Sequence, residues 1–237
     1  MKQILSQLIH GFESIAFPST CICCGLYIEN TDQMICTQCA SKRFEDANPA
    51  NGESCLSLIL PDGVHFQDAL WRYDKEGMVQ EMIRQLKYQG MAQIGLELGR
   101  IAGKRIKERH LGSRIQVDLN QVLLVPVPLH PLREKKRGYN QARLIAQGIA
   151  SQTEIPVIES TTLIRQRNTI SQTKFSFTKR MENLRNVFVL KEPDKIKDSF
   201  LILVDDVFTT GSTCFSLAHI LKKGNPSGMG IFTIAQA

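Results

Sequence analysis

The chain has 237 residues, 43% of them hydrophobic and 22% charged, with a net charge of +6 and a pI near 9.0. This is the composition of an ordinary globular protein, and no apolar run approaches the roughly eighteen residues that a membrane span needs. The positive charge is concentrated in two segments: residues 130–143 carry Arg133, Lys135, Lys136, Arg137 and Arg143 against Glu134, and residues 165–185 carry Arg165, Arg167, Lys174, Lys179, Arg180 and Arg185 against Glu182. Two readings fit these segments: solvated basic faces, or surfaces that bind phosphates on a small molecule or on nucleic acid.

Residues 1–18 place Ile4, Leu5, Leu8, Ile9, Phe12 and Ile15 at helical spacing, interrupted by polar residues. That pattern predicts an amphipathic helix rather than a secretory leader, and hence a reducing, cytoplasmic setting. The next stretch, "CICCGLYIENTDQMICTQC", holds two C-x-x-C pairs, Cys21/Cys24 and Cys36/Cys39. Under reducing conditions disulfides are disfavoured, and paired turns of this kind suit a tetrahedral zinc ion, with Gly25 in one turn. The expected ligands are Cys21, Cys24, Cys36 and Cys39, with zinc in a structural role. Cys23 is a fifth thiol able to replace a neighbour, while Cys55 and Cys214 read as small core residues.

Residues 1–45 are thus expected to form a helix and a zinc module, and 46–67 a linker containing "DANPANGES". From Asp68 onward strands and helices alternate. "DALWRYD" reads as a strand, and Met78, Val79, Met82, Ile83 and Leu86 form one helical stripe ending near Gly90. "MAQIGLELGRIAGKRIKER" is a second helix, "VLLVPVPL" (122–129) a buried strand, and "NQARLIAQGIASQ" a helix capped by Asn140. "FLILVDD" is a nearly all-apolar strand of the kind found in parallel sheets covered on both faces. A helix over "STCFSLAHILKKG", with Ser or Thr as its cap and Gly224 after its end, leads to a last strand, "GMGIFTIAQA". The predicted fold class is α/β: an open, mainly parallel sheet with flanking helices, plus the small four-cysteine module.

The segment "LILVDDVFTTGST" puts two carboxylates at the end of a strand, before a hydroxyl-rich turn that enters a helix. In open α/β sheets ligands bind beyond the carboxyl ends of strands, and a helix N-terminus favours an anion. There is no G-x-x-x-x-G-K-[ST], which excludes a P-loop. A carboxylate accepts hydrogen bonds from hydroxyls, so an anion in the turn and a diol on the acids together suggest a sugar phosphate.

That segment resembles the phosphoribosyl-pyrophosphate (PRPP) signature of type I phosphoribosyltransferases. The resemblance implies that Asp205 and Asp206 hold the ribose hydroxyls, that Thr209, Thr210, Gly211, Ser212 and Thr213 cradle the 5′-phosphate, and that Mg2+ accompanies PRPP. "AFPSTCICCG", "CTQC", "IRQLKYQG", "VPVPLHPLREKKRGYNQARLIA" and "RQRNTISQTKFSFTKRMENLRNVF" further resemble the ComF (ComFC/GntX) family of competence-associated proteins over nearly the whole chain. By that resemblance Arg133, Lys135, Lys136, Arg137, Arg165, Arg167 and Arg180 meet pyrophosphate or DNA phosphates, Thr169, Gln172 and Asn183 belong to a loop closing on the site, and Asp205, Asp206, Arg133 and Arg137 form the catalytic group of any transfer. His130 reads as a structural histidine and Tyr139 as a packing residue, each with an alternative role in acid–base chemistry or base stacking. Phe175 and Phe177, interleaved with Lys174 and Lys179, suit stacking on a single strand.

The function implied is PRPP binding in natural transformation, with single-stranded DNA, a helicase and a recombination mediator as partners and a peripheral place at the inner membrane through them. Phosphoribosyl transfer to an acceptor and PRPP sensing are the alternatives. Purine salvage enzymes cover the base with a C-terminal segment; here the last predicted strand runs to Ala237, so base recognition is expected from elsewhere, such as the N-terminal half.

Overall fold

A computed structural model describes residues 20–28, 33–47, 59–109, 117–166 and 187–237. The predicted N-terminal helix, Cys55, Arg167, Thr169, Gln172, Lys174, Phe175, Phe177, Lys179, Arg180 and Asn183 lie outside these residues. The chain divides into two compact units, Met1–Phe44 and Glu45–Ala237.

In the first unit the chain turns at Cys21–Gly25, bridges Thr20 to Tyr27 antiparallel, and enters a short helix α1 (Thr37–Lys42). Its buried residues among those described are Cys21, Cys23, Ile28, Ile35 and Cys39. Among the described residues, three of those five buried side chains are cysteines.

The second unit is built on four parallel strands: β1 (Val64–Arg72), β2 (Val122–Pro126), β5 (Phe200–Phe208) and β6 (Gly228–Gln236), in the order β1-β6-β5-β2. β3 (Leu163–Arg165) and β4 (Phe188–Leu190) form a separate antiparallel hairpin. The open parallel sheet expected from the alternating pattern is therefore present. β1 starts at Val64, four residues before the expected Asp68, because pairing with β6 already begins at Val64, with a shift of register between Val64 and Phe66. β2 stops at Pro126, short of the expected Leu129, where three prolines within six residues end the ladder.

Strand alternation sends β5 residues to two layers. Leu201 and Leu203, with Met229 and Ile231, pack on α6 (Ser212–Leu221) and the hairpin. Ile202 and Phe232 meet α3 (Ala92–Glu108) on the other face. On that face also lie α2 (Met78–Tyr88), which buries Val79, Met82, Ile83 and Leu86 as its stripe predicts, and α5 (Gln141–Thr153).

The basic segment after β2 is a short helix, α4 (Pro131–Arg137), where the sequence suggested a loop. Pro131 opens it, the His130 Nδ1 accepts from the Leu132 N–H at 3.2 Å, and Gly138 ends it in the left-handed region. His130 thus takes the structural role. Asn140 caps α5 as expected, its Oδ1 accepting from the Ala142 N–H at 3.0 Å.

α3 and α5 cross at glycines. A Cβ on Gly99 would stand 2.2 Å from the Ile145 carbonyl oxygen, and one on Gly148 would stand 2.2 Å from the Leu96 carbonyl and 2.7 Å from the Gly99 Cα. Backbone atoms cannot yield as a side-chain end can. Ala is otherwise favoured over Gly in a helix by about 1 kcal/mol, so the expected sign reverses here. Gly148→Ala should lower stability by about 1–3 kcal/mol, which for a domain of this size lowers Tm by about 2–4 °C per kcal/mol. The same change at exposed Gln147 should leave Tm unchanged in a calorimetric scan.

Candidate functional site

β2 and β5 are neighbours, but the chain leaves them in opposite directions. After α5, residues 155–158 return to the outer side of β2, where Leu124 and Val157 form a parallel bridge, with the Leu124 N–H on the Pro156 carbonyl at 2.8 Å and the Ile158 N–H on the Leu124 carbonyl at 3.0 Å. β5 instead leads through α6 to β6. That reversal makes the crevice beyond the ends of β2 and β5 a topological switch point, the usual ligand position in open α/β sheets. The segments bordering it are residues 127–140 and 205–213.

β5 does not end before its acids. β6 supplies ladder partners as far as Phe208, with Asp205 opposite Thr233, so both carboxylates lie within the strand. On the other side β2 pairs only as far as Val204, with a last bond from the Val127 N–H to the Val204 carbonyl at 2.9 Å. Asp205 and Asp206 occupy the stretch where β5 has lost one neighbour and kept the other. Alternation turns them to opposite faces, which keeps the two like charges from lying side by side.

Asp206 faces the helical layer and is 4% exposed; its Oδ2 lies 3.0 Å from the Lys87 Nζ at the end of α2. Burial works against the charge on Lys87, but Asp206 and then Asp205 outweigh it and hold its pKa above the ordinary value. Lys87 was not among the residues singled out from the sequence. The available signal was its position directly after Leu86, beside the buried stripe of α2 and within "IRQLKYQG".

Asp205 is half-buried, and its Oδ1 accepts from the Asp206 N–H at 2.9 Å. Burial and the neighbouring Asp206 push its pKa up to about 7, against the opposing pull of Lys87, the Asp206 N–H and Arg165. Arg165, on β3, stacks its guanidinium on Phe188 at 5.6 Å; burial and then Arg133 lower its pKa, while Asp205 raises it. The structure therefore brings together Asp205, Asp206, Arg165, Arg133 and Lys87. Lys135 and Lys136 stand exposed on α4. Arg137 donates to the Gln141 Oε1 and lies 5.9 Å from the centre of the Tyr88 ring.

Residues Thr209–Gly211 form the turn. Gly211 sits at φ 72, and a Cβ there would meet Phe208 and Phe215 at 2.7 Å, so the position suits only glycine. Gly211 is the N-cap of α6, in place of the expected Ser or Thr, and no side chain caps the helix. Ser212, one of the hydroxyls that the sequence offered as a cap, instead meets the Thr210 hydroxyl, Oγ to Oγ1 at 2.8 Å. At its other end α6 passes into a 3-10 turn that includes Gly224, and Asn225 is the residue in the left-handed region. Tyr139 donates its hydroxyl to the Leu86 carbonyl at 2.7 Å, the packing role expected of it.

In the first unit, the sulfurs of Cys21, Cys24, Cys36 and Cys39 all lie within 4.8 Å of one another. The Cys36 N–H points to the Cys21 sulfur and the Cys39 N–H to the Cys36 sulfur, each at 3.3 Å. Burial alone would raise the Cys21 pKa, but amides of Cys36, Cys23 and Cys24 bring it down to about 6. Burial, followed by Cys21, pushes Cys23 up to about 12, and Cys23 is not in the converging set. The four sulfurs are a donor set able to hold a metal such as zinc.

No protein-family model matches the chain. It is similar to competence protein F of Haemophilus influenzae, 29% identical over 66% of this chain and 67% of that protein. It is also similar to competence protein ComFC of Bacillus subtilis (26%; 90% and 88%) and to DNA utilization protein YhgH of Escherichia coli (26%; 87% and 86%). Among solved structures, a purine phosphoribosyltransferase from Pyrococcus horikoshii matches 60% of this chain and 84% of its own, at 14% identity and a TM-score of 0.33, a superposition too loose to carry fold or function. Over most of its length, then, this chain is a homologue of the proteins named competence protein F, competence protein ComFC and DNA utilization protein YhgH.

Proposed function

We propose that this protein binds PRPP with Mg2+ and acts on incoming single-stranded DNA in natural transformation. The observation that carries the PRPP half is the turn after β5: an uncapped helix start and paired hydroxyls next to two carboxylates, at the switch point of the sheet. The names of the relatives, competence protein and DNA utilization protein, support the DNA half. No helix among the described residues is long and apolar enough to cross a membrane; a helicase and a recombination mediator of the uptake machinery are the proposed partners.

In this reading the 5′-phosphate takes the amides at the start of α6 and the hydroxyls of residues 209–213. The ribose hydroxyls donate to the carboxylates. Mg2+ bound with PRPP beside Asp205 and Asp206 would offset negative charge on the phosphate groups. Arg165, near Asp205, Arg133, near Arg165, and Arg137 on α4 face the pyrophosphate. Those cations favour a second reading, phosphoribosyl transfer, in which the bond from C1 to pyrophosphate breaks, an acceptor bonds C1, and the arginines stabilise charge on the departing group. In the first unit, Cys21, Cys24, Cys36 and Cys39 hold a structural zinc.

Calorimetric titration with PRPP and Mg2+ should give clear binding heat for the wild type and none for Asp205→Asn combined with Asp206→Asn; equal heats would remove the ligand assignment.

The raised pKa of Asp205 gives a signed pH effect. A sugar hydroxyl bonds best to the ionised acid, so PRPP affinity should fall as pH drops through about 7. The folded apo protein holds that proton more tightly than the unfolded chain between about pH 4 and the folded value, so the same drop should stabilise it. Asp205→Asn should flatten both curves; a wild-type affinity that rises on acidification would contradict the role given to Asp205.

Metal analysis should find about one zinc per chain, with loss in Cys21→Ser and in Cys39→Ser. Unchanged zinc in both variants would refute the ligand set.

A further inference from the structure

Next to Lys87 in sequence, Tyr88 ends α2 with 76% of its surface exposed. A single exposed aromatic is ordinary on a protein surface. Three observations set this one apart. The Arg137 guanidinium stands 5.9 Å from the ring centre, so one side of the ring has a cationic neighbour while most of its surface stays open to a second flat group. Arg137 is itself fixed by its bond to Gln141, and the corner that carries it is tied to α2 by the bond from Tyr139 to the Leu86 carbonyl. Finally, α4 carries Arg133, Lys135, Lys136 and Arg137 against one acid, Glu134, and leaves Leu132 63% exposed beside them.

Arg133 and Arg137 are four residues apart and share a side of α4, about 6 Å apart along the helix axis. Arg133 lies within electrostatic reach of Arg165, which is drawn to Asp205. A line of cations therefore runs from the acid pair along α4 to Tyr88. Cations that follow a phosphate backbone, with an aromatic face for a base, form the generic single-strand binding surface, and a neighbouring arginine adds to the stacking.

We infer that Tyr88, backed by Arg137, is a stacking platform for a base of single-stranded nucleic acid whose phosphates follow α4. This rests on the DNA half of the proposed function; Arg133 and Arg137 are shared with the PRPP reading, whereas Tyr88 has no part in it. Tyr139, the residue of this region that the sequence offered for stacking, is held by its hydroxyl, and the exposed ring is Tyr88.

The test is fluorescence anisotropy at low salt with a labelled oligothymidylate and an abasic strand of equal length. Tyr88→Ala should weaken the oligothymidylate by about fivefold or more and leave the abasic strand unchanged. Tyr88→Trp should restore binding, and Arg137→Gln should weaken both strands. An unchanged Tm in each variant checks that the fold is intact. No loss in Tyr88→Ala, or an equal loss on both strands, overturns the platform. A wild type that binds neither strand overturns the platform together with the DNA half of the proposed function, while the PRPP titration stands apart from both.

Discussion

A carboxylate taken out of water is tolerated when a cation meets it. Asp206 is almost wholly buried at the end of the sheet, and the Lys87 ammonium stands 3.0 Å from it as a counter-charge. The pair ties the last turn of α2 to the strand that carries the candidate ligand site. Asp205, one residue earlier and turned to the other face, feels Lys87 as well and, beyond it, Arg165. The two neighbouring acids thus share Lys87, in direct contact with Asp206 and acting at longer range on Asp205, while Arg165 adds to the setting of Asp205.

The elements around that pair are held by short, specific contacts. Gly99 and Gly148 let α3 and α5 approach backbone to backbone, which fixes α5 over the sheet. Asn140, at the start of α5, caps that helix with its Oδ1 and donates its Nδ2 to the Val127 carbonyl at 3.0 Å, tying the corner to the exit of β2. Tyr139 ties the same corner to α2. The basic helix α4 lies between these anchors and is rigidly presented beside the crevice. In the four-cysteine unit, the buried aliphatic side chains among the described residues are Ile28 and Ile35, and four sulfurs converge to a set able to hold a metal such as zinc.

The parallel sheet, the buried stripe of α2, the Asn140 cap and the convergence of Cys21, Cys24, Cys36 and Cys39 were legible in the sequence, because each rests on a local period or spacing. The acids and the turn after β5 were legible as a motif. The cap of α6 was not. Ser and Thr are better caps by propensity, but the tight packing of Phe208 and Phe215 leaves room only for glycine at position 211. The basic segment after β2 looked like a loop because its prolines and charges hide a helix too short to show a period.

What the sequence determined by itself, then, is the set of elements, the four-sulfur cluster and the place of the acids near a strand end. Propensity, spacing and alternation are properties of neighbours along the chain. Only the tertiary structure decided which charge meets which acid. It chose Lys87 for Asp206, set Arg165 near Asp205 with Arg133 near Arg165, and left Tyr88 rather than Tyr139 facing solvent. Partners separated by scores of residues are selected by the order of strands and the crossing of helices, where burial and charge must be satisfied together.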